Sequence, residues 1–131
     1  MLADYHTYPT IPAADLKRAR RFYEQTLGFK PGSVSSAGVM YNAKGSVVFV
    51  YPSAAAGTNA ATAAGFAVDD LKATVAELQA KGVKFEEYDM PGLKTDHGIA
   101  VFEGGRGAWF KDSEGNIIGL AQLSQPYSWP G

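Results

Sequence analysis

The sequence predicts an α+β fold: two βαβββ modules forming a cup-shaped, incompletely closed mixed sheet barrel with the helices outside. Three observations predict it. Asp15-Leu16-Lys17 and Asp70-Leu71-Lys72 open two amphipathic stretches 55 residues apart (70 − 15). Each stretch closes on a glycine and an apolar residue, Gly28-Phe29 and Gly82-Val83. Each is preceded by one extended apolar segment and followed by strand-like segments. A repeat of this length marks a duplicated supersecondary unit, which cannot bury its apolar face alone. The two copies must pack on each other or on a second chain.

The elements follow in order. Tyr5 to Pro12 reads as extended, with Pro9 and Pro12 favouring an edge or a strand end. Asp15 is a good N-cap for the first helix. Leu16, Ala19, Phe22, Tyr23 and Leu27 recur at helical spacing, and Gly28 supplies the stop. Strands are expected at about Lys30 to Ser36, Val39 to Asn42 and Ser46 to Pro52, the last two joined by a turn at Ala43-Lys44-Gly45. Ser53 to Thr62, rich in Ala, Gly, Ser, Thr and Asn, reads as the connector. Thr62 to Val68 begins the second copy. Asp69 or Asp70 caps the second helix, whose apolar face is Leu71, Val75 and Leu78 and whose end is Gly82.

Further strands are expected at about Val83 to Asp89, Gly107 to Lys111 and Asn116 to Leu123, with a tight turn at Asp112-Ser113-Glu114-Gly115. Met90 to Gly107, punctuated by glycine and proline, reads as a mobile loop holding one short strand, Ile99 to Glu103. As one domain over 1–131, module 1 spans about 5–53, the linker 54–61, module 2 about 62–123 and the tail 124–131. The tail, with Tyr127 and Trp129, is expected to be either disordered or clamped by its aromatic rings.

Composition narrows the function. A chain of 131 residues suffices for one compact domain with a real core. Hydrophobic content of 46% with 19% charged residues is ordinary for a soluble protein. The net charge of −1 gives no nucleic-acid surface, and Lys17-Arg18-Ala19-Arg20-Arg21 reads as a solvated helix face. There is no cysteine, which excludes disulfides, thiolate metal sites and cysteine nucleophiles. No apolar run approaches the roughly 20 residues of a membrane span. The N-terminus lacks signal-peptide order, so a cytoplasmic location is expected.

Ala14-Asp15-Leu16 with Phe22-Tyr23 and Leu27-Gly28-Phe29 resembles the opening motif of the vicinal oxygen chelate superfamily: glyoxalase I, extradiol dioxygenases, and the bleomycin- and fosfomycin-resistance proteins. Val68-Asp69-Asp70-Leu71 with Ala80-Lys81-Gly82-Val83 resembles its second-half counterpart. Ala108-Trp109-Phe110-Lys111-Asp112 with Gly115-Asn116 resembles its closing hairpin. The resemblance spans about Tyr8 to Gln122. It implies a homodimer. It also implies up to four metal-binding side chains, His, Gln or Glu, on the first and last strand of each module. Carried over by the family's spacing, those places fall on Tyr8, Phe49, Ala63 and Gly119. Divalent ions want imidazole or carboxylate donors, and these residues offer none beyond a neutral phenol. Neither metal nor cofactor is therefore expected.

Strand alternation then names the cup face. Tyr8, Thr10, Val47, Phe49, Tyr51, Ala63, Gly65, Ala67, Ile117, Gly119 and Ala121 should line it, with Trp109. Ile11, Val48, Val50, Phe66, Val68, Ile118, Leu120 and Phe110 should face the helices. Aromatic Tyr8, Phe49, Tyr51 and Trp109 would form walls while Ala63, Gly65 and Gly119 leave volume, as in many small-molecule sites; alternatively the rings fill the cup as ordinary core. Asp96, His97 and Glu103 are candidates to fix a ligand from the rim, although Asp96-His97 also reads as a turn element.

The function expected is a metal-independent binding protein that sequesters a hydrophobic or aromatic small molecule such as an antibiotic. The alternative is a glyoxalase, isomerase or dioxygenase-like enzyme with a non-standard or absent metal site, or a metal-free one using His97 as base.

Overall fold

In the computed structural model, which describes residues 1–125 and 127–130, the chain forms two mixed sheets and two helices. The first sheet contains β1 (Thr10–Ala13), β2 (Lys30–Ser35), β3 (Gly38–Ala43) and β4 (Ser46–Pro52) in the order β1-β4-β3-β2. The second contains β5 (Thr62–Ala67), β6 (Asp89–Met90), β7 (Leu93–Asp96), β8 (Ile99–Phe102), β9 (Gly105–Lys111) and β10 (Ile117–Leu123) in the order β5-β10-β9-β8-β7-β6. In each sheet the first strand runs parallel to the last, β1 beside β4 and β5 beside β10, and every other pair is antiparallel. The two sheets meet near β1 and β5 without closing into a barrel.

Both helices start where the side chains dictate. Asp15 accepts from the Arg18 amide at 3.1 Å ahead of α1 (Leu16–Arg21), and Asp70 accepts from the Ala73 amide at 3.1 Å ahead of α2 (Leu71–Ala80). Each satisfies one amide that the first turn leaves unpaired. After Arg21 the first helix widens into a π-type turn, Phe22–Thr26. The predicted apolar stripes are the buried ones: Ala19, Tyr23, Leu71 and Val75 lie on one continuous core with Ile11, Val39, Tyr41, Val48, Val50, Ala64, Ala108, Phe110, Ile118 and Leu120. Burying a side chain of Val, Leu or Phe size contributes about 1.5–3 kcal/mol. The core therefore fixes which face of each strand is left for other work.

Two sequence expectations need correction. Val83 to Asp89 is not a strand; it holds one bridge, Phe85 opposite Phe110, and the Glu86 amide donates to the Trp109 carbonyl at 2.7 Å. Met90 to Gly107 is not a loop but a ladder of tight hairpins. Its loops are the pairs Pro91-Gly92, His97-Gly98 and Glu103-Gly104. At the second, His97 (φ 52°) and Gly98 (φ 81°) are both left-handed, the geometry that matches strand twist in a two-residue hairpin. The glycines that suggested looseness are the residues that permit tight reversal.

The halves are joined by a buried polar cluster at the β9–β10 turn. The Tyr23 hydroxyl donates to Asp112 Oδ2 at 2.6 Å. Asp112 also accepts from the amides of Glu114 and Asn116 and from Asn116 Nδ2. Asn116 Nδ2 donates to the Pro12 carbonyl at 2.8 Å, and its Oδ1 accepts from the Gly57 amide at 3.3 Å. Glu114, whose side chain is 0% exposed, accepts from the Asp15 amide at 2.8 Å and from Arg18 Nε at 2.8 Å and an Arg18 terminal nitrogen at 3.0 Å. β1, α1 and the linker are thus all tied to one five-residue turn. The same cluster consumes the aromatic face of the first helix: Tyr23 is fully buried, and Phe22 packs on Phe110 with ring centroids 6.5 Å apart.

Burial raises the Glu114 pKa, but the Arg18, Asp15 and Ser113 hydrogen bonds and the Arg18 charge outweigh it, so the group sits at about 2. A lowered folded-state pKa contributes stability that is present above the unfolded value, 4.5, and lost as pH falls through about 2. The shift corresponds to roughly 3 kcal/mol. Urea unfolding at stepped pH should show the parent losing about that much between pH 4.5 and 2 beyond the loss of Glu114→Gln. Parallel pH profiles would refute the assignment.

Candidate functional site

The sheet face turned away from the core carries the predicted cup residues. Core and non-core side chains alternate as expected along β4, β5 and β9: Val48, Val50, Ala64, Ala108 and Phe110 are buried in the core, while Phe49, Tyr51, Ala63, Gly65, Ala67 and Trp109 are half-buried or exposed. β10 is buried on both sides from Ile117 to Leu120, because strands flank it and Trp109 covers it.

Two aromatic pairs dominate this face. On β4, Phe49 and Tyr51 lie nearly parallel, with centroids 6.0 Å apart and planes at 12°. Gly38 makes room for Phe49: a Cβ there would stand 2.9 Å from the ring and 2.4 Å from the Val50 carbonyl oxygen. On β9, Trp109 meets Tyr88 edge to face at 5.8 Å and 76°. Its indole lies over Gly119, directly opposite it in the ladder; a Cβ at Gly119 would be 3.3 Å from Nε1. Gly119 therefore accommodates the indole and leaves no free volume, contrary to the expectation for it. Gly65 does leave space, since its Cβ would meet only the Gly119 carbonyl oxygen, at 4.0 Å.

The remaining predicted residues are placed as follows. Tyr8, 47% exposed, precedes β1. Thr10, exposed, opens β1 and is in register with Phe49. Ala63 is exposed on β5. Asp96 and His97 sit at the β7–β8 turn, with Asp96 Oδ1 2.8 Å from His97 Nδ1 and both side chains nearly fully exposed. Glu103 is in the β8–β9 turn, at the other end of β8. A strand of this length rises about 13 Å, so the three polar candidates are not brought together. Among the described residues no group of three or more His, Cys, Asp or Glu side chains is placed to hold a metal ion, and no helix is long and apolar enough to cross a membrane.

Sequence reasoning missed Tyr88, whose segment reads as a strand that would alternate, not as a crossing that delivers one ring to Trp109. It also missed the burial of Asp112, Glu114 and Asn116. No local signal marks it, since Asp, Ser and Gly are ordinary residues of an exposed turn.

The glycines separate two roles. Gly65→Ala should change stability by no more than about 1 kcal/mol, since the added methyl group finds open space. Gly119→Val should cost about 1–3 kcal/mol by displacing the indole. Chemical denaturation with tryptophan emission distinguishes them; equal costs would contradict the placement of Trp109.

This architecture has many solved counterparts. TnmS3, an antibiotic binding protein from Streptomyces sp. CB03234, is 26% identical and superimposes with a TM-score of 0.67 over 92% of this chain and 96% of its own. A glyoxalase/bleomycin resistance protein/dioxygenase from Alicyclobacillus acidocaldarius, 18% identical, gives 0.69 over 93% of each chain. A lactoylglutathione lyase from Agrobacterium tumefaciens, 14% identical, gives 0.67 over 90% of this chain and 92% of its own. No curated protein matches in sequence. The family model of the Glyoxalase/Bleomycin resistance protein/Dioxygenase superfamily matches residues 6–120, across both halves and the buried turn that joins them, and the chain belongs to that superfamily.

Proposed function

We propose that the protein is a metal-independent small-molecule-binding protein of the bleomycin-resistance type, a cytoplasmic homodimer that sequesters a flat hydrophobic or aromatic compound such as an antibiotic. The reading rests on the side chains that alternate with the core, Thr10, Phe49 and Tyr51 on the first sheet and Ala63 and Trp109 on the second. They offer ring surfaces, small residues and the two hydroxyls of Thr10 and Tyr51 where an ion would need imidazole or carboxylate. The residues at the family's metal places, Tyr8, Phe49, Ala63 and Gly119, offer a divalent ion no imidazole or carboxylate.

Chemically the face can bind but has little with which to react. The stacked Phe49–Tyr51 pair and the Trp109 indole present π surface to a planar ligand, and Tyr8 supplies a further ring and a hydroxyl. Asp96, His97 and Glu103 would act as rim contacts, from opposite ends of β8. The likeness to the antibiotic binding protein TnmS3, at 26% identity, supports the same reading. Val34, Val101 and Phe102, 51%, 77% and 45% exposed, supply apolar surface that a second copy would cover.

Acridine titrated into Trp129→Phe, which keeps Trp109 as its one tryptophan, should quench emission saturably. Phe49→Ala and Tyr51→Ala should each weaken binding at least tenfold, equivalent to about 1.4 kcal/mol. Elemental analysis should find no stoichiometric metal. One divalent ion per chain, removable only with loss of function, would overturn the proposal and favour an enzyme.

A further inference from the structure

The two halves meet by equivalent elements, but only one of the two equivalent contacts is made. The start of α1 docks on the β9–β10 turn through Glu114. The matching contact would bring the start of α2 to the β3–β4 turn at Lys44-Gly45. The turn glycines show the difference. Gly115 (φ 89°) is covered, its Cβ position 3.2 Å from Gly57 Cα; Gly45 (φ 80°) has nothing within 4 Å. In place of the contact is a cavity of about 610 Å³.

Its apolar lining comes from Phe29, Val47, Val48, Ala64, Phe66 and Val68. Lys44 of the turn and Asp69 beside the α2 cap line it as well, both exposed. The C-terminal tail closes one side with Tyr127, Trp129 and Pro130. Pro126 and Gly131, also in the tail expectation, lie outside the described residues. Tyr127 and Trp129 stand edge to face at 4.9 Å and 84°, yet remain 57% and 65% exposed. Two aromatic rings held over an apolar cavity, with so little of their own surface covered, are placed to gain contact when something enters. The volume is in the range of small-molecule sites, and a few polar groups beside an apolar lining is their usual composition.

We propose that this inter-module cavity is a second binding site, distinct from the aromatic pairs of the cup face, for a flat, mostly apolar molecule carrying one hydroxyl or amino group. The rings of Tyr127 and Trp129 cover the molecule, and the Asp69 carboxylate accepts from its polar end. The site borders the cup face at Val47, Gly65 and Ala67 but uses none of Phe49, Tyr51 or Trp109, so its failure and that of the cup reading are distinguishable.

The two tryptophans, one at each site, allow a direct test. In protein labelled with 5-fluorotryptophan, fluorine NMR gives one resonance per residue, assigned with Trp109→Phe and Trp129→Phe. Titration with 2-naphthol should shift the Trp129 resonance saturably. Tyr127→Ala, an exposed position that leaves the core intact, should weaken that response at least fivefold. A shift of Trp109 alone would overturn this proposal and leave the cup reading standing. So would a Trp129 response that does not saturate or that ignores Tyr127→Ala. A shift of Trp129 alone would support the cavity and count against the cup.

Discussion

A carboxylate that has given up water must be fully hydrogen-bonded or the fold cannot keep it. Glu114 meets that demand by accepting from the amide of Asp15, the cap of α1, and from the fork of Arg18, both from the other half of the chain. Asp112 does the same with the Tyr23 hydroxyl, and Asn116 with β1 and the linker. Apolar burial alone would tolerate many slides of one half over the other. These directional bonds select one. Together with the contact of β1 on β5 and of Phe29 on Phe66, the five-residue turn sets the relative placement of the two sheets.

Most of the architecture was legible because it rests on local signals. The Asp caps, the helical spacing of Leu71, Val75 and Leu78, and the alternation along β4 all report burial directly, and the sheet register agrees with them. The Val83–Asp89 segment was misread because its apolar content comes from one crossing, where Phe85 anchors in the core and Tyr88 reaches Trp109. The hairpin ladder was misread because glycine marks flexibility and tight reversal alike; only pairing decides between them.

The site was less legible than the fold. Alternation gives the face a side chain points to, not what it meets there. Phe49 and Tyr51 were placed on the right face, but their mutual stacking and the niche at Gly38 are tertiary facts. In sequence Gly119 reads as empty volume; in the fold the Trp109 indole lies over it. The tail is ambiguous in sequence for the same reason: its aromatic rings line a cavity whose other walls come from distant elements, among them the β3–β4 turn and Asp69 beside the α2 cap.

β10 follows every other strand in sequence yet lies inside its sheet, one strand in from the edge, between β5 and β9. The hairpins from β6 to β9 close over two-residue loops and need only their neighbours. β5 must wait, with a helix and four strands intervening, for a partner at the far end of the chain, and such long closures are slow. The turn carrying Glu114 arrives at the same late moment. During synthesis Arg18 and Tyr23 of the first half therefore have no docking surface until the β9–β10 turn has been made, long after their own sheet is complete.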